Sequence, residues 1–248
     1  EAQGLDTGKL TELSRELGTG FEQLYEDLED HFRGTREEVQ AKLQPSDGVA
    51  NDRFGSRVAL GQDTALVSAP NKNEKGQAYV FVRSGSSWSE QARLSASDGA
   101  ANDHFGASLA LNADTAVISA PYKNEFQGQA YVFVRSGSSW SQQAVLLSPE
   151  RVETNVFGTA MALRGDVLAI ADPLVNTPAA AARSQVLLYT RCGSSWSQPG
   201  QLLASDSKVH DSFGAAVAWS GDSVLIGATG ADPGQVYMCT PEQLKRCP

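Results

Sequence analysis

Between residues 54 and 240 the apolar positions alternate with polar ones in short runs bounded by Gly, Ser, Asp and Asn, which predicts half-buried β-strands joined by tight turns. After each Phe-Gly comes an alternating segment (SRVALGQ, ASLALNA, TAMALRG, AAVAWSG), a turn at Asp63, Asp114, Asp166 or Asp222, and an apolar run (TALVSAP, TAVISAP, VLAIADP, SVLIGAT). A third strand (YVFVRS, LLYTRC, VYMCT) leads through a Gly-Ser-Ser turn into a fourth (WSEQARL, WSQQAVL, WSQPGQL). The N-terminal arm has another period. Leu10, Leu13, Leu17, Phe21, Leu24, Leu28 and Phe32 cover 22 residues in six steps, which predicts one apolar face of an amphipathic helix, weakened near Gly18 and Gly20.

The strand groups are copies of one unit. Residues 77–89 and 129–141 are the same thirteen letters, QAYVFVRSGSSWS, and Phe-Gly stands at 54, 105, 157 and 213. Repeats of about 50 residues with four short strands each predict the blades of a propeller rather than a helical array. From Leu43, Leu94, Leu146 and Leu202 to the next Phe is 11 residues every time, whereas the stretch between strands two and three varies and becomes DPLVNTPAAAARS at 172–184. Variable loops on a fixed scaffold are where binding is expected.

The last repeat stops after its third strand, and QAKLQPSD at 40–47 aligns with QARLSASD at 91–98. The fold class predicted is therefore all-β: a four-bladed propeller of four-stranded antiparallel blades with strand exchange between the termini, preceded by a helical arm. Its parts are the acidic arm 1–37, a closing strand 38–46, blades near 54–97, 105–148, 157–205 and 213–240, and a tail 241–248. The rival closure is an eight-bladed ring made by two chains, each donating residues 38–46 to the other. Either closure removes open sheet edges.

Composition narrows the function. The 248 residues carry 29 Asp and Glu against 20 Lys and Arg, a net charge of -9 that disfavours nucleic-acid partners. No apolar run is long enough to span a membrane, so any membrane association is peripheral. The chain opens at Glu1 without a signal-type segment, which predicts a processed N terminus and an extracytoplasmic or organelle-lumen location. Two cysteine pairings stay open, Cys239 with Cys247 and Cys192 with Cys247. The histidines His31, His104 and His210 fall at non-equivalent places, and no nucleophile, zinc or phosphate-loop motif occurs. These letters assemble no catalytic constellation, so the chain is expected not to be an enzyme.

Phe-Gly, an apolar strand ending in Ala-Pro, and YVF with SGSSWSQ together resemble the FG-GAP repeat family of β-propellers over roughly residues 40–240. The resemblance is sharpest at Phe54-Gly55 with Ser68-Ala69-Pro70 and at Phe105-Gly106 with Ser119-Ala120-Pro121. It implies an adhesion or interaction module. Relatives with calcium loops carry several carboxylates between strands one and two; here Asp63, Asp114, Asp166 and Asp222 stand singly, so no metal or other cofactor is expected.

The expected function is protein interaction or scaffolding, as in a peripheral subunit of a larger organellar or membrane complex. The partner sites are the arm face (Leu10, Leu13, Leu17, Phe21, Leu24, Leu28, Phe32) and the loops 70–77, 121–129 and 172–184, the last with Leu174, Val175 and Asn176. The alternative is a glycan-binding propeller using Trp88, Trp140 and Trp196, one per blade; packing against the hairpin or the next blade is their other reading. Trp219 breaks the pattern and is assigned to the core. Asp52, Asp103, Asn155 and Asp211, two residues before each Phe, are assigned to turns or caps.

Overall fold

In the computed structural model residues 41–150, 155–173, 184–206 and 211–240 are described. The chain divides into two compact units, 1–42 and 43–248, and the described residues belong almost wholly to the second. The predicted arm lies outside the described residues, as does the tail from 241. The second unit is all-β.

Sheet 1 holds β1 (Val58–Leu60), β2 (Thr64–Ala69), β3 (Gln77–Ser84) and β4 (Ser87–Leu94). Sheet 2 holds β5 (Leu109–Asn112), β6 (Thr115–Ala120), β7 (Gln129–Ser136) and β8 (Ser139–Leu146), and sheet 3 holds β9 (Met161–Arg164), β10 (Val167–Asp172), β11 (Gln185–Cys192) and β12 (Ser195–Leu202). Sheet 4 has three strands, β13 (Phe213–Ser220), β14 (Ser223–Ala228) and β15 (Gln235–Cys239). Every sheet is an antiparallel meander in chain order. The third strand meets the fourth with a register shift at Val80, Val132 and Leu188, the same place in three sheets, where the extra residue sharpens the twist.

Burial explains the residue pattern. β2 and β6 are buried at every position because each has a neighbour on both faces, so they read as unbroken apolar runs. The outer strands β4 and β8 alternate because one face stays wet. β14 also alternates, and among the described residues its second face carries no neighbouring sheet. One apolar cluster joins sheets 1 and 2 through Leu66, Val80, Ile118 and Tyr131; a second joins sheets 2 and 3 through Val117, Val132, Ile170 and Leu187; a third joins sheets 3 and 4 through Ala169, Leu188, Val224 and Ile226. The arrangement is propeller-like, each sheet stacked face to face on the one before.

Phe-Gly makes the joint. Phe105, Phe157 and Phe213 are fully buried in these three clusters. Their backbones lie so close to the preceding sheet that a Cβ on Gly76 would fall 2.1 Å from the Phe105 carbonyl oxygen, and one on Gly128 2.4 Å from that of Phe157. Backbone hydrogen bonds lock the same contact: the Phe105 N–H donates to the Lys75 carbonyl at 3.2 Å and the Asn102 N–H to that of Glu74 at 2.8 Å. Trp219 packs half-buried against the third cluster, its indole N–H donates to the Ala162 carbonyl at 3.0 Å and Arg164 lies over its ring at 5.9 Å, so it sits at the joint between sheets 3 and 4 rather than in the core.

Among the described residues the strand exchange is not formed: residues 41–45 are outside any strand and β15 pairs with β14 alone. Leu43 packs instead on the outer face of sheet 1 with Tyr79, Phe81 and Phe54, and Ser46 donates to Glu90 from its N–H and its hydroxyl at 2.9 Å. The physical reason is separation. Sheet 4 does not lie against sheet 1, so its edge cannot take a strand anchored there.

Gly128 and Gly137 both hold positive φ, 74° and 63°, but only Gly128 faces a neighbour. Gly137→Ala is expected to cost about 1 kcal/mol of backbone strain, and Gly128→Ala about 2 kcal/mol more from the collision with Phe157. Urea denaturation of the two variants checks this; equal midpoints would remove the close contact from the account.

Candidate functional site

The loops between strands two and three rise on one side of the sheets and rest on buried lysines. Lys72 is buried with its ammonium 3.0 Å from the carboxylate of Asp52, and it donates a further hydrogen bond to the Asp47 carbonyl. Asp52 also accepts from the Val49 N–H at 2.8 Å, so one carboxylate caps the turn and neutralises the lysine. Sheet 2 repeats the arrangement: Lys123 to Asp103 at 3.0 Å, Lys123 to the Asp98 carbonyl, and the Ala100 N–H to Asp103 at 2.6 Å. The turn assignment for Asp52 and Asp103 thus gains a partner that the turn alone did not suggest.

Below each lysine a tyrosine secures the incoming connection. The Tyr79 hydroxyl donates to Asp47 at 2.8 Å and that of Tyr131 to Asp98 at 2.7 Å. Burial first, and then the bond to a carboxylate, push both phenols above their ordinary value. Burial would raise Asp47 as well, but the Tyr79 bond, Arg93 and Lys72 outweigh it and hold the carboxyl below its usual range.

On this base the loop tips adopt costly conformations. Asn73 and Glu74 have φ of 50° and 62°, and Asn124, Glu125 and Phe126 have 52°, 58° and 68°. Each such non-glycine residue costs on the order of 1 kcal/mol and persists only where its surroundings impose it. In sheet 2 the result is an aromatic patch. The ring of Tyr122 lies 4.8 Å from that of His104 and 5.2 Å from that of Phe126, edge to face in both cases. Tyr122 and Phe126 are 41% and 49% exposed, large rings left in solvent on a loop fixed from beneath. The Phe126 carbonyl accepts from the Val156 N–H at 2.7 Å, which ties the tip to the next repeat. A groove of about 240 Å³ runs between the sheet 1 loop (Asn73, Lys75, Gln77) and the connection at Ser95–Gly99.

Sheet 3 changes the charge pattern. Asn155 replaces the loop aspartate and a carboxylate appears on the strand instead, Asp172, where sheets 1 and 2 have alanine. Asp172 accepts from Asn155 at 2.5 Å, Gln185 at 2.8 Å and Ser148 at 2.9 Å. Burial pushes it up to about 6, Glu150 adds to the shift, and the three donated bonds oppose it. Leu174, Val175 and Asn176 lie outside the described residues, so loop 172–184 contributes only its two ends. Leu10, Leu13, Leu17, Phe21, Leu24, Leu28 and Phe32 lie outside them too.

The opposite side of the sheets uses its charges internally. Asp63, Asp114 and Asp166 bind Arg83, Arg135 and Arg191 at 3.0, 2.6 and 2.6 Å, and Asp222 binds Arg164 at 2.6 Å. Arg135 and Arg191 also donate to Thr64 and Thr115 of the preceding sheet, at 3.1 and 2.8 Å. The same arginines lie over Trp88, Trp140 and Trp196 at 6.0, 5.6 and 5.7 Å from the ring centres. The indole N–H of Trp140 donates to Gln91 at 3.0 Å and that of Trp196 to Gln143 at 3.1 Å, both on the sheet before. Trp140 and Trp196 are half-buried joints between sheets, whereas Trp88 packs on the outer face of sheet 1 in the cluster that holds Leu43 and Phe54. Cys239 is a free thiol and Cys192 is disulfide-bonded, so the pairing of Cys239 with Cys247 is not formed. Burial raises the Cys239 thiol.

The lysine anchors and the trio His104, Tyr122 and Phe126 escaped the sequence reading. The signal for the lysines was there, since Lys-Asn-Glu recurs at 72–74 and 123–125. The aromatic trio had none, because Tyr122 and Phe126 stand where the first copy has Asn71 and Lys75.

A family model described as FG-GAP repeat matches residues 38–81, 88–133 and 196–239, together more than half of the chain. No curated protein matches the chain by sequence. Solved structures that it resembles include the periplasmic gluconolactonase PpgL of Pseudomonas aeruginosa, at 18% identity and a TM-score of 0.47 over 74% of this chain and 52% of that one. TolB from Acinetobacter baumannii is another, at 11% identity and a TM-score of 0.40 over 72% of this chain and 41% of that one. The chain spans about half the length of the gluconolactonase and less of TolB. At such identities neither assigns a chemistry. The expectation that the chain is not an enzyme is withdrawn, because a propeller-like fold is compatible with an enzyme as well as with a binding module.

Lys123→Met is expected to cost about 3–5 kcal/mol by leaving Asp103 buried without its counter-charge. Adding Asp103→Asn, the residue that sheet 3 uses at this place, should recover at least about 1 kcal/mol, read from denaturation midpoints in a double-mutant cycle. Asp172 gives a pH signature. Its folded value lies above the unfolded one, so the folded state holds the proton more tightly and stability is lost as pH rises from about 4 through about 6. Asp172→Asn should therefore gain thermal stability relative to the native chain across that window, with a constant difference above it; a difference independent of pH would contradict the assignment.

Proposed function

The chain belongs to the FG-GAP repeat family, and from that premise we propose that it is a protein-interaction module whose sheets act as propeller blades presenting the strand two to three loops to a partner. The observation that carries this reading is the exposed pair Tyr122 and Phe126, backed by the half-buried His104, on a backbone held rigid by the buried Lys123 and Asp103. Rigid, exposed aromatic side chains are what interface hot spots are made of, because they bury much area and lose little freedom on binding. The groove of about 240 Å³ beside Gln77 lies on the same side and would receive a side chain of the partner.

In this reading the acidic arm, residues 1–37, supplies a second contact through Leu10 to Phe32 and favours a basic docking surface. A peripheral subunit of a larger assembly is the form that joins both contacts. The disulfide at Cys192 suits an oxidising compartment, in keeping with an extracytoplasmic or lumenal location. Among the described residues no helix is long and apolar enough to cross a membrane.

Capture of a stoichiometric partner from native extract by cross-linking tests the proposal, with three chains compared: the full chain, one lacking residues 1–34, and Phe126→Gly. Glycine accepts the positive φ of residue 126, so the fold is retained while the ring is lost. The expected result is a partner whose retention falls about tenfold or more with Phe126→Gly. Equal capture by native chain and Phe126→Gly would move the interface away from the loop side.

A further inference from the structure

The two end sheets expose the two halves of a joint that the chain makes three times between its sheets. Val236 and Met238 on β15 are 71% and 73% exposed. Their counterparts facing the next sheet are Ala78 and Val80, Ala130 and Val132, and Val186 and Leu188, and each of these six is at most 3% exposed. At the other end, Val58 and Leu60 on β1 are 71% and 73% exposed. Their counterparts Leu109 and Leu111, Met161 and Leu163, and Val217 and Trp219 all pack into the clusters made with the preceding sheet.

The glycines tell the same story. A Cβ on Gly106, Gly158 or Gly214 would lie 2.8, 2.8 or 3.1 Å from Ser68, Ser119 or Ala171 of the preceding sheet, while Gly55 has nothing within 4 Å. Gly234 occupies the place of Gly76 and Gly128, where the backbone of the next Phe presses in; Ser184 stands there in sheet 3. The φ of Gly234 lies outside the left-handed region, and a Cβ on it would meet nothing nearer than 3.8 Å. Within one chain, neither geometry nor crowding asks for glycine at 234.

We infer that sheet 4 of one copy stacks on sheet 1 of a second copy, β13–β15 against Val58, Leu60 and Phe54, and that the reciprocal contact closes a two-fold pair. The occupant is a second copy because this chain carries both complementary faces and does not bring them together. Bending its own sheets to meet would have to break the backbone contacts of Gly76 on Phe105 and Gly128 on Phe157, which fix the angle between sheets. A head-to-tail joint used twice satisfies both ends of both chains, whereas used once it leaves open ends that would polymerise. It also meets the need of the three-stranded sheet. Leu43 already lies on sheet 1 where Leu94, the end of β4, lies on sheet 2. The stretch around residues 43–46 is thus placed to pair with β15 of the partner as its fourth strand, covering an apolar edge that would otherwise stay open.

Sedimentation equilibrium of the full chain tests this. The expected mass is that of two 26.3 kDa chains. Val58→Lys and Met238→Glu change exposed side chains, so each variant should keep the native circular dichroism yet associate roughly 30-fold or more weakly, the loss typical of a hot-spot residue. Mixing the two variants should restore a two-chain species, since one joint in the mixed pair is unaltered and the other sets Lys against Glu. A mass of one chain, a mass above two chains, a pair that survives both substitutions, or a mixture that fails to associate overturns the proposal.

Discussion

The seat of each Phe-Gly backbone on the sheet before it is the constraint from which the other features follow. At Gly76 and Gly128 the two backbones approach so closely that no side chain fits between them, and the phenyl rings of Phe105 and Phe157 then fill the space between sheets. Because that contact is backbone against backbone, it fixes an angle and not merely a proximity. The first two joints share this contact, while Ser184 stands at its place in sheet 3, and on this repeated frame the arginine-tryptophan stacks recur on one side and the lysine-anchored loops of sheets 1 and 2 on the other.

The loop side shows what happens when the register is kept and the chemistry changes. Sheets 1 and 2 place a buried lysine against an aspartate; sheet 3 removes the aspartate, as Asn155, and places a carboxylate at 172 among amide and hydroxyl donors. In each case the buried charge is matched by a counter-charge or by hydrogen-bond donors, as a low-dielectric interior requires, although the buried Asn155 Oδ1 has no partner among the described residues. The scaffold can therefore be varied loop by loop. Tyr122 and Phe126 are such a variation, confined to one repeat and spent on solvent-facing rings rather than on packing.

Much of this was legible in the sequence. The alternation of β4 and the unbroken apolar run of β2 announced their burial, and the fixed 11 residues from Leu94 to Phe105 and from Leu146 to Phe157 announced a repeated joint. Trp219 stands outside the pattern of the other tryptophans in sequence, yet its half-buried ring under Arg164 bonds to the preceding sheet as Trp140 and Trp196 do. What the letters could not convey was distance between ends: QAKLQPSD at 40–47 has the sequence of a closing strand, yet Leu43 lies on sheet 1 while sheet 4 ends elsewhere. The Cys239 pairing failed for the same reason, since three cysteines admit several pairings and only geometry selects. The site itself was half visible, the right loops without the right residues, because Lys72 reads as a surface lysine until the carboxylate of Asp52 is found 3.0 Å away.

The claim that Phe-Gly couples neighbouring sheets is tested most directly by native-state hydrogen exchange on Phe157→Ala, whose ring contacts both sheets 2 and 3. If the joint is the cooperative element, amides of β6 and β7 lose protection by the same factor as those of β10 and β11. Loss of protection confined to sheet 3, with sheet 2 unchanged, would show that the sheets are stable one by one and contradict the account.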